Sequence, residues 1–246
     1  MIGINKCSLF FILWFLFNSS AFATLIDRGG GLLYDDEQDI TWLADFNPSK
    51  TLGGEARFYW DDAFNFIDNF TYYDSVRDVT WDDWRMPTLE RVDPACSEYG
   101  TFASPDDSPL PMGLNCENSE LSHLFYQDLG GVATRPINEF SNSNTDYFLN
   151  LPDQTRGGDN SYLFWTGDDY YINSDFYFIT DRDIAFGFSF GYGDQFFMPK
   201  NRFSMVAMAV RDGDVGVAKI PEPSTLWLML AALIGVTSIK VKRKVR

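Results

Sequence analysis

The sequence predicts an α+β domain in which an antiparallel sheet is combined with two short helices and long loops. Two segments carry apolar side chains at helical spacing, and short strand-like segments precede and follow them. A length of 246 residues is typical of a single domain. Aromatic residues make up 17% of the chain, which is ample material for a buried core. Both termini are apolar segments that we expect to lie outside this domain.

The first strands are expected within residues 25–43. Gly29–Gly31 and Asp35–Glu37 supply turn residues, and apolar or aromatic stretches lie on either side of them. This arrangement is typical of short antiparallel strands joined by tight turns.

Two helices are expected further along. The first has its apolar positions four, seven, eight and eleven residues after its start, which places them on one helical face: Tyr59, Ala63, Phe66, Ile67 and Phe70. The second runs over Glu120–Leu129 and stops at Gly130 and Gly131.

The remaining segments divide into loops and strands. Residues 92–117 and 136–160 are polar, show no periodicity and are predicted to be loops. Four later segments are rich in aromatic and aliphatic residues and are predicted to be strands: Tyr162–Trp165, Phe176–Ile179, Ile184–Phe190 and Phe203–Val210.

Residues 1–23 have the three parts of a secretion signal. Lys6 provides a positive charge, Leu9–Phe17 is an apolar run of nine residues, and Ala21–Ala23 is a small-x-small cleavage site. The mature chain is therefore expected to begin at Thr24. The alternative is an uncleaved anchor, but the run is short for crossing a bilayer.

The C-terminus has three parts that together form a stop-transfer element. Residues 220–225 contain two prolines and are expected to be extended. Residues 226–239 are an uncharged, mostly apolar run, and residues 240–246 are strongly basic. We expect the apolar run to lie in the membrane as a helix while the basic end stays on the cytoplasmic side. Residues 215–219 are predicted to link this element to the domain.

This tripartite tail resembles the PEP-CTERM sorting signal. Pro221, Glu222 and Pro223 match its signature triplet, and the short apolar helix and basic end follow in the expected order. The resemblance implies a Gram-negative cell that makes extracellular polysaccharide, and processing of the tail by an exosortase after transient residence in the inner membrane. An ordinary tail anchor is the alternative.

Cys96 and Cys116 are the cysteines that remain once the signal, with Cys7, is removed. Exported proteins pass through an oxidising compartment, so a disulfide between them is expected, with two free thiols as the alternative. In the chain-entropy model a ring of this size contributes about 3 kcal/mol. Two sulfurs without a nearby histidine do not favour a metal site.

The charge balance excludes nucleic acid as a partner. Residues 24–219 contain 34 acidic and 13 basic residues, a net charge of −21. Binding to phosphates requires a basic patch, which this segment does not provide. The acidic surface is consistent with solubility outside the cell, or with binding cations and repelling anionic polymers.

The central region, about residues 24–214, resembles the Lcl C-terminal domain family. The family motif Trp-Arg-Leu-Pro-Thr is represented here by Trp84, Arg85, Met86, Pro87 and Thr88, with Met86 replacing the leucine. The opening segments around residues 27–43 and the closing segment 207–211 also fit. The resemblance implies an α+β domain of C-type-lectin-like architecture and a role in adhesion or the extracellular matrix, in some members with polysaccharide binding.

The motif itself favours a structural role over a ligand site. A tryptophan packs, an arginine pairs with a carboxylate, and Pro-Thr starts the next element.

No catalytic residues are predicted, and the chain is not expected to be an enzyme. His123 is the single histidine, and one imidazole is too few for the paired-histidine zinc motif. Gly-x-Ser-x-Gly and glycine-rich phosphate loops do not occur in the sequence. The many carboxylates leave a glycan hydrolase open as an alternative, because such enzymes need only two of them at a defined separation.

No resident cofactor is predicted, with calcium as the open alternative. Calcium binds about six to eight converging oxygens, and the acidic loops near residues 166–169 and 181–183 offer some of them. The candidate ligands are Asp168, Asp169, Asp181 and Asp183. Solvated surface carboxylates are the competing interpretation.

The leading hypothesis is therefore an exported module of the cell surface or biofilm matrix that binds glycans. Trp165, Tyr170 and Tyr171 are expected to be exposed and to stack on sugar rings. The alternatives are a carboxylate-based glycan hydrolase and a purely structural matrix protein.

Overall fold

Three antiparallel sheets organise the part of the chain that the computed structural model describes, which comprises residues 25–90, 92–100, 110–140, 142–152, 162–171 and 183–217. The strands are β1 Ile26–Gly29, β2 Leu32–Asp35, β3 Ile40–Leu43, β4 Tyr72–Asp74, β5 Val79–Trp81, β6 Glu98–Gly100, β7 Leu110–Leu114, β8 Leu163–Tyr171, β9 Asp183–Ser189, β10 Asp194–Pro199 and β11 Val210–Asp212. The helices are α1 Pro48–Thr51, α2 Trp60–Asp68 and α3 Glu120–His123, which continues as a π-helical turn, Leu124–Asp128. Two short 3₁₀ turns cover Ile137–Glu139 and Thr145–Tyr147. The α+β class is therefore confirmed.

Several predictions fall outside the described residues. They are the signal 1–23, the strand Phe176–Ile179, Asp181, and the sorting element 220–246 with its membrane helix 226–239. Within the described ranges, no helix combines the length and the apolar character needed to cross a membrane.

The first sheet has the strand order β1-β2-β3-β11. Its β1–β2 turn uses Gly29, Gly30 and Gly31 at φ values of 72°, 66° and 76°, a left-handed region that glycine enters without steric cost. In the β2–β3 turn, the Asp35 carboxylate accepts hydrogen bonds from the backbone N–H groups of Glu37 and Gln38 at 3.0 and 3.1 Å. The predicted antiparallel start is confirmed, and β11 closes the sheet from the far end of the chain.

The second sheet has the order β6-β7-β10-β9-β8, and strand β9, which lies next to the edge strand β8, is buried on both faces. The prediction of a loop over residues 92–117 is wrong, because β6 and β7 lie within it. These strands are short and at or near the edge of the sheet, where backbone pairing does not require apolar alternation. The predicted strand Phe203–Val210 is largely wrong as well: residues 203–209 are irregular apart from single bridges at Met205 and Val206, and regular pairing starts at Val210.

Helix α2 confirms the first predicted helix. Trp60, Ala63 and Ile67 face the core, and Phe70 is buried just after the helix ends. Tyr59 departs from the prediction because it is the N-cap residue and is 50% exposed.

The second predicted helix is present but changes geometry halfway. After α3, the chain forms the π-helical turn, in which Leu129 donates from its backbone N–H to the carbonyl of Leu124 at 2.9 Å. Gly130 then ends the segment at a φ of 66°. The turn keeps Leu124, Phe125 and Leu129 fully buried.

The main core lies between the two large sheets and is dominated by phenylalanine. The rings of Phe46, Phe164 and Phe190 are in mutual edge contact, with centroids 5.0 to 5.6 Å apart. Phe125 from the π-helical turn packs on Phe190 at 5.8 Å. Edge-to-face pairs of this kind stabilise more than their buried area alone.

Cys96 and Cys116 are joined by a disulfide that encloses β6 and β7. Both residues are buried, and the nearby Asp93 carboxylate accepts hydrogen bonds from the backbone of Glu117 and Asn118 at 2.6 and 2.8 Å. The covalent link and these hydrogen bonds hold together a segment that has little apolar surface of its own.

We expect thiol titration of the denatured, unreduced mature protein to find no free thiol. Reduction should then lower the free energy of unfolding by about 3 kcal/mol, because the ring no longer restricts the unfolded chain. The same titration after reduction is the control. Two titratable thiols per chain before reduction would contradict the disulfide.

Candidate functional site

The segment Trp84–Thr88 lies inside the fold rather than on a binding surface. Trp84 and Met86 are 4% and 3% exposed and belong to the core beneath α2. The Pro87 carbonyl accepts a hydrogen bond from the backbone N–H of Gly167 at 2.8 Å. The backbone of Thr88 is hydrogen-bonded at both its polar groups to Glu120.

Arg85 is the charged centre of this motif. Its guanidinium donates to both carboxylate oxygens of Glu120 at 2.7 and 2.8 Å, and to the Asp212 carboxylate at 2.6 and 2.9 Å. Burial alone would lower the pKa of Arg85, but the hydrogen bonds and charges of Glu120 and Asp212 outweigh it and raise that pKa. The side chain thus fixes α3 against the first sheet.

Two of the predicted calcium ligands, Asp169 and Asp183, are already close to a positively charged side chain of the protein, Lys200. The Lys200 ammonium is paired with Asp169 and lies 3.4 Å from Asp183. It also lies 4.1 Å from the centroid of the Trp60 ring. The Asp168 carboxylate accepts a hydrogen bond from the backbone N–H of Leu89 at 2.7 Å. A calcium ion at Asp169 and Asp183 would have to displace Lys200.

Two of the three aromatic residues expected to bind sugars, Trp165 and Tyr170, are not available for stacking. Trp165 is completely buried, and its indole N–H donates to the Phe58 carbonyl at 3.0 Å. Tyr170 is 9% exposed and packs on Phe186. The expectation was wrong for Trp165 and Tyr170 because β8 is a long strand that places both of these side chains in the core. The side chain of Tyr171 is outside the described set.

Other aromatic side chains do reach the surface. Among the described residues, those exposed by 40% or more are Tyr59, Phe64, Tyr73, Tyr99, Tyr147 and Tyr192. They are spread over several elements, so each would offer a single stacking face.

One groove of about 160 Å³ lies between α1 and the first sheet. Its lining is mainly apolar and includes Phe70 and the exposed Leu52. Its polar side chains are already bonded to the protein: the Asp45 carboxylate accepts from Thr51 Oγ1, and the Tyr72 hydroxyl donates to a backbone carbonyl. These features do not favour sugar binding there.

A different cluster joins Asp35 to two residues of the α3 segment that are far from it in sequence. Asp35 ends β2, His123 ends α3 and Asp128 ends the π-helical turn. One potential ligand atom from each lies within 4.8 Å of the other two. His123 Nε2 is 3.9 Å from Asp35 Oδ2 and 3.7 Å from Glu37 Oε2, which lies at the rim.

The side chains of this cluster are buried, and several of their polar atoms lack hydrogen-bond partners in the described chain. Asp35 and Asp128 are each 2% exposed, and His123 is 7% exposed. In the described part of the chain, Asp35 Oδ2, His123 Nε2 and both carboxylate oxygens of Asp128 lack a hydrogen-bond partner. Burial, followed by the negative charges of Asp35, Glu37 and Asp36, raises the pKa of Asp128 to about 8.

The chemistry open to this cluster is limited by its burial. Asp35 and Asp128 approach the spacing of a retaining glycosidase pair. A sugar ring cannot enter between two carboxylates that are each 98% covered, so the pair does not support hydrolysis. A metal ion is small enough to fit, and an imidazole with two carboxylates is a common ligand set.

The sequence contains one local signal for this cluster, which is the position of Asp128 in the helical pattern. Asp128 is seven residues after Leu121, so the helical pattern already places a charged residue on an apolar face. His123 is buried, and no local pattern links it to Asp35, which is far away in the chain. Comparisons with protein-family models, curated proteins and solved structures give no match.

We expect Arg85→Met to lower the free energy of unfolding by about 2–3 kcal/mol, because Glu120 would keep its buried charge without a partner. Urea denaturation at neutral pH measures this. Arg135→Met is the matched control, since it breaks a 2.8 Å ion pair with Glu139 whose side chains are 53% and 47% exposed. That control should cost less than about 1 kcal/mol, and equal losses would contradict a structural role for the motif.

Proposed function

We propose that this protein is an exported, non-enzymatic module of the cell surface or extracellular matrix whose tail is processed by an exosortase. The observation that carries the proposal is the order of Pro221–Pro223, the apolar run 226–239 and the basic end. In the precursor, residues 226–239 are held in the inner membrane and the basic end fixes the orientation. The mature form is released to the surface.

The described end of the domain supports this arrangement. Val215 is buried, and the Gly216 carbonyl accepts a hydrogen bond from the Arg77 guanidinium at 2.6 Å. The same guanidinium donates to the Arg28 carbonyl at 2.6 Å, and Arg28 is paired with Asp214 at 2.6 Å. The two ends of the domain are therefore side by side, close to where the sorting element begins.

Extracellular polysaccharide is the partner that we propose, and a neutral glycan suits an acidic domain better than an anionic one because like charges repel. Among the aromatic residues, the exposed tyrosines support this proposal because their rings are accessible for stacking on a sugar. The proposal includes the C-type-lectin-like architecture implied by the family resemblance, and its support is that resemblance. The alternatives are the glycan hydrolase and the purely structural matrix protein.

Replacement of Pro221, Glu222 and Pro223 by alanine should trap the full-length form in the membrane fraction. Alanines favour a continuous helix, whereas the two prolines keep this segment extended and accessible to a protease. The measurement is the intact mass of the surface-associated protein in a host that has an exosortase. Alanines at three positions of the exposed surface, Lys50, Glu55 and Asp61, provide the control.

A surface form of the unaltered protein that still ends at Arg246 would show that the tail is an ordinary anchor. Trapping by the control substitutions would show that the effect is not specific to the motif.

A glycan array and a reducing-sugar assay on the mature protein should show binding without turnover. Alanine at Tyr73 or Tyr192 should weaken binding, because stacking on a sugar requires an exposed ring. Leu52→Ala, which removes an aliphatic side chain that is 70% exposed, is the control. Release of reducing sugar would favour the hydrolase, and absence of both signals would favour the structural protein.

A further inference from the structure

The buried cluster of Asp35, His123 and Asp128 has the properties of a ligand-binding site. Each side chain comes from a different turn of the chain, and their potential ligand atoms lie within 4.8 Å of one another. At least one polar atom of each has no hydrogen-bond partner in the described residues. Buried polar groups in proteins are nearly always hydrogen-bonded, paired or bound to a metal.

The surroundings of the cluster are negative rather than positive. Asp36 and Glu37 lie on the same turn as Asp35 and add two further carboxylates to it, and Glu37 Oε2 lies 3.7 Å from His123 Nε2. No lysine or arginine of the described chain is paired with Asp35 or Asp128. A bound cation would compensate all of these charges at once.

The π-helical turn is the structural device that assembles the cluster. Hydrogen bonds from residue i+5 to residue i bring side chains five positions apart toward the same side. His123 and Asp128 are separated by five residues, whereas in an uninterrupted α-helix they would point in clearly different directions. Single π-turns within helices occur frequently at functional sites.

The donor set indicates which class of metal fits. Imidazole nitrogen with carboxylate oxygens suits zinc, manganese and iron, whereas calcium requires more oxygens than this cluster provides. Metal–ligand bonds of about 2.0–2.2 Å require the ligand atoms to approach one another by about an ångström, which side-chain rotation allows. The side chain of Glu37 is 65% exposed, so this residue lies at the open side of the site. From there it is placed to be a fourth ligand.

We propose that Asp35, His123 and Asp128, with Glu37 at the rim, form a binding site for one divalent transition-metal ion of the zinc or manganese class. The ion joins the β2–β3 turn to the end of the π-helical turn. This site is separate from the sorting tail and from any glycan-binding surface, so it does not depend on the proposed function.

The test is metal binding to the full chain, purified in detergent without a histidine tag and stripped with a chelator. Calorimetry with zinc, manganese, magnesium and calcium should show about one tight site for zinc or manganese, and weaker binding of the other two. Because His123 is the only histidine in the chain, its imidazole gives a single set of NMR resonances. Zinc should shift these resonances and manganese should broaden them.

Two substitutions locate the ion. Asp128→Asn and His123→Gln keep the side-chain size and should each weaken zinc binding at least tenfold. In the absence of metal, Asp128→Asn should melt at the same or a higher temperature than the unaltered chain, because it removes a buried carboxyl without a partner. Asp35→Asn, which retains the oxygen that caps the β2–β3 turn, is the further variant if either of these fails to fold.

Asp194→Asn is the matched control. Asp194 is a half-buried carboxyl outside the cluster, and it too has a raised pKa and an oxygen lacking a partner in the described chain. This variant should bind zinc as the unaltered chain does. Unchanged zinc affinity in both Asp128→Asn and His123→Gln, or unperturbed imidazole resonances at saturating zinc, would overturn the proposal.

Discussion

The interaction on which much of this structure depends is the pairing of Arg85 with Glu120. It connects the motif segment to the start of α3, and the same guanidinium reaches Asp212 on β11. The backbone of Arg85 also pairs with Val210 in both directions, at 2.8 and 3.0 Å. Taking these charges out of water is costly, and the bidentate geometry with its additional hydrogen bonds compensates for that cost. Three segments that are distant in the sequence are thereby fixed at one point.

Fixing the start of α3 has consequences for the rest of that segment. Glu120 is held by Arg85 at one end, and Phe125 and Leu129 are fully buried beyond it. Gly131 lies so close to the Phe125 ring that a Cβ there would come within 2.5 Å of it. With both ends held, the π-helical turn places the last residue, Asp128, beneath the surface. The same constraint that completes the core therefore creates the buried cluster.

The sequence predicted the features that depend on local patterns. The glycine turn, the apolar face of α2 and the pairing of Cys96 with Cys116 each have signals within a short stretch, and the structure contains all three. β6, β7 and β10 were not predicted, because a strand depends on the neighbours with which it pairs more than on its own residues. Trp165 was misplaced since an aromatic residue in a strand is equally compatible with either face. The cluster around Asp128 required knowledge of which distant turn lies against the helix, which no local pattern contains.

Asp128 differs from the other buried carboxylates of the fold in having no group of the described chain that pairs with it. Asp74 is paired with Arg77 at 2.6 Å, and Glu120 is paired with Arg85. Asp93 has no arginine but accepts backbone N–H groups instead. Asp128 has neither, since both of its oxygens lack a donor in the described chain. With 13 basic residues against 34 acidic ones in residues 24–219, the protein has few cations to place. A metal ion from the solution would neutralise the carboxylate of Asp128, as an arginine does at Asp74 and Glu120. The acidic surface of the domain raises the local concentration of such cations.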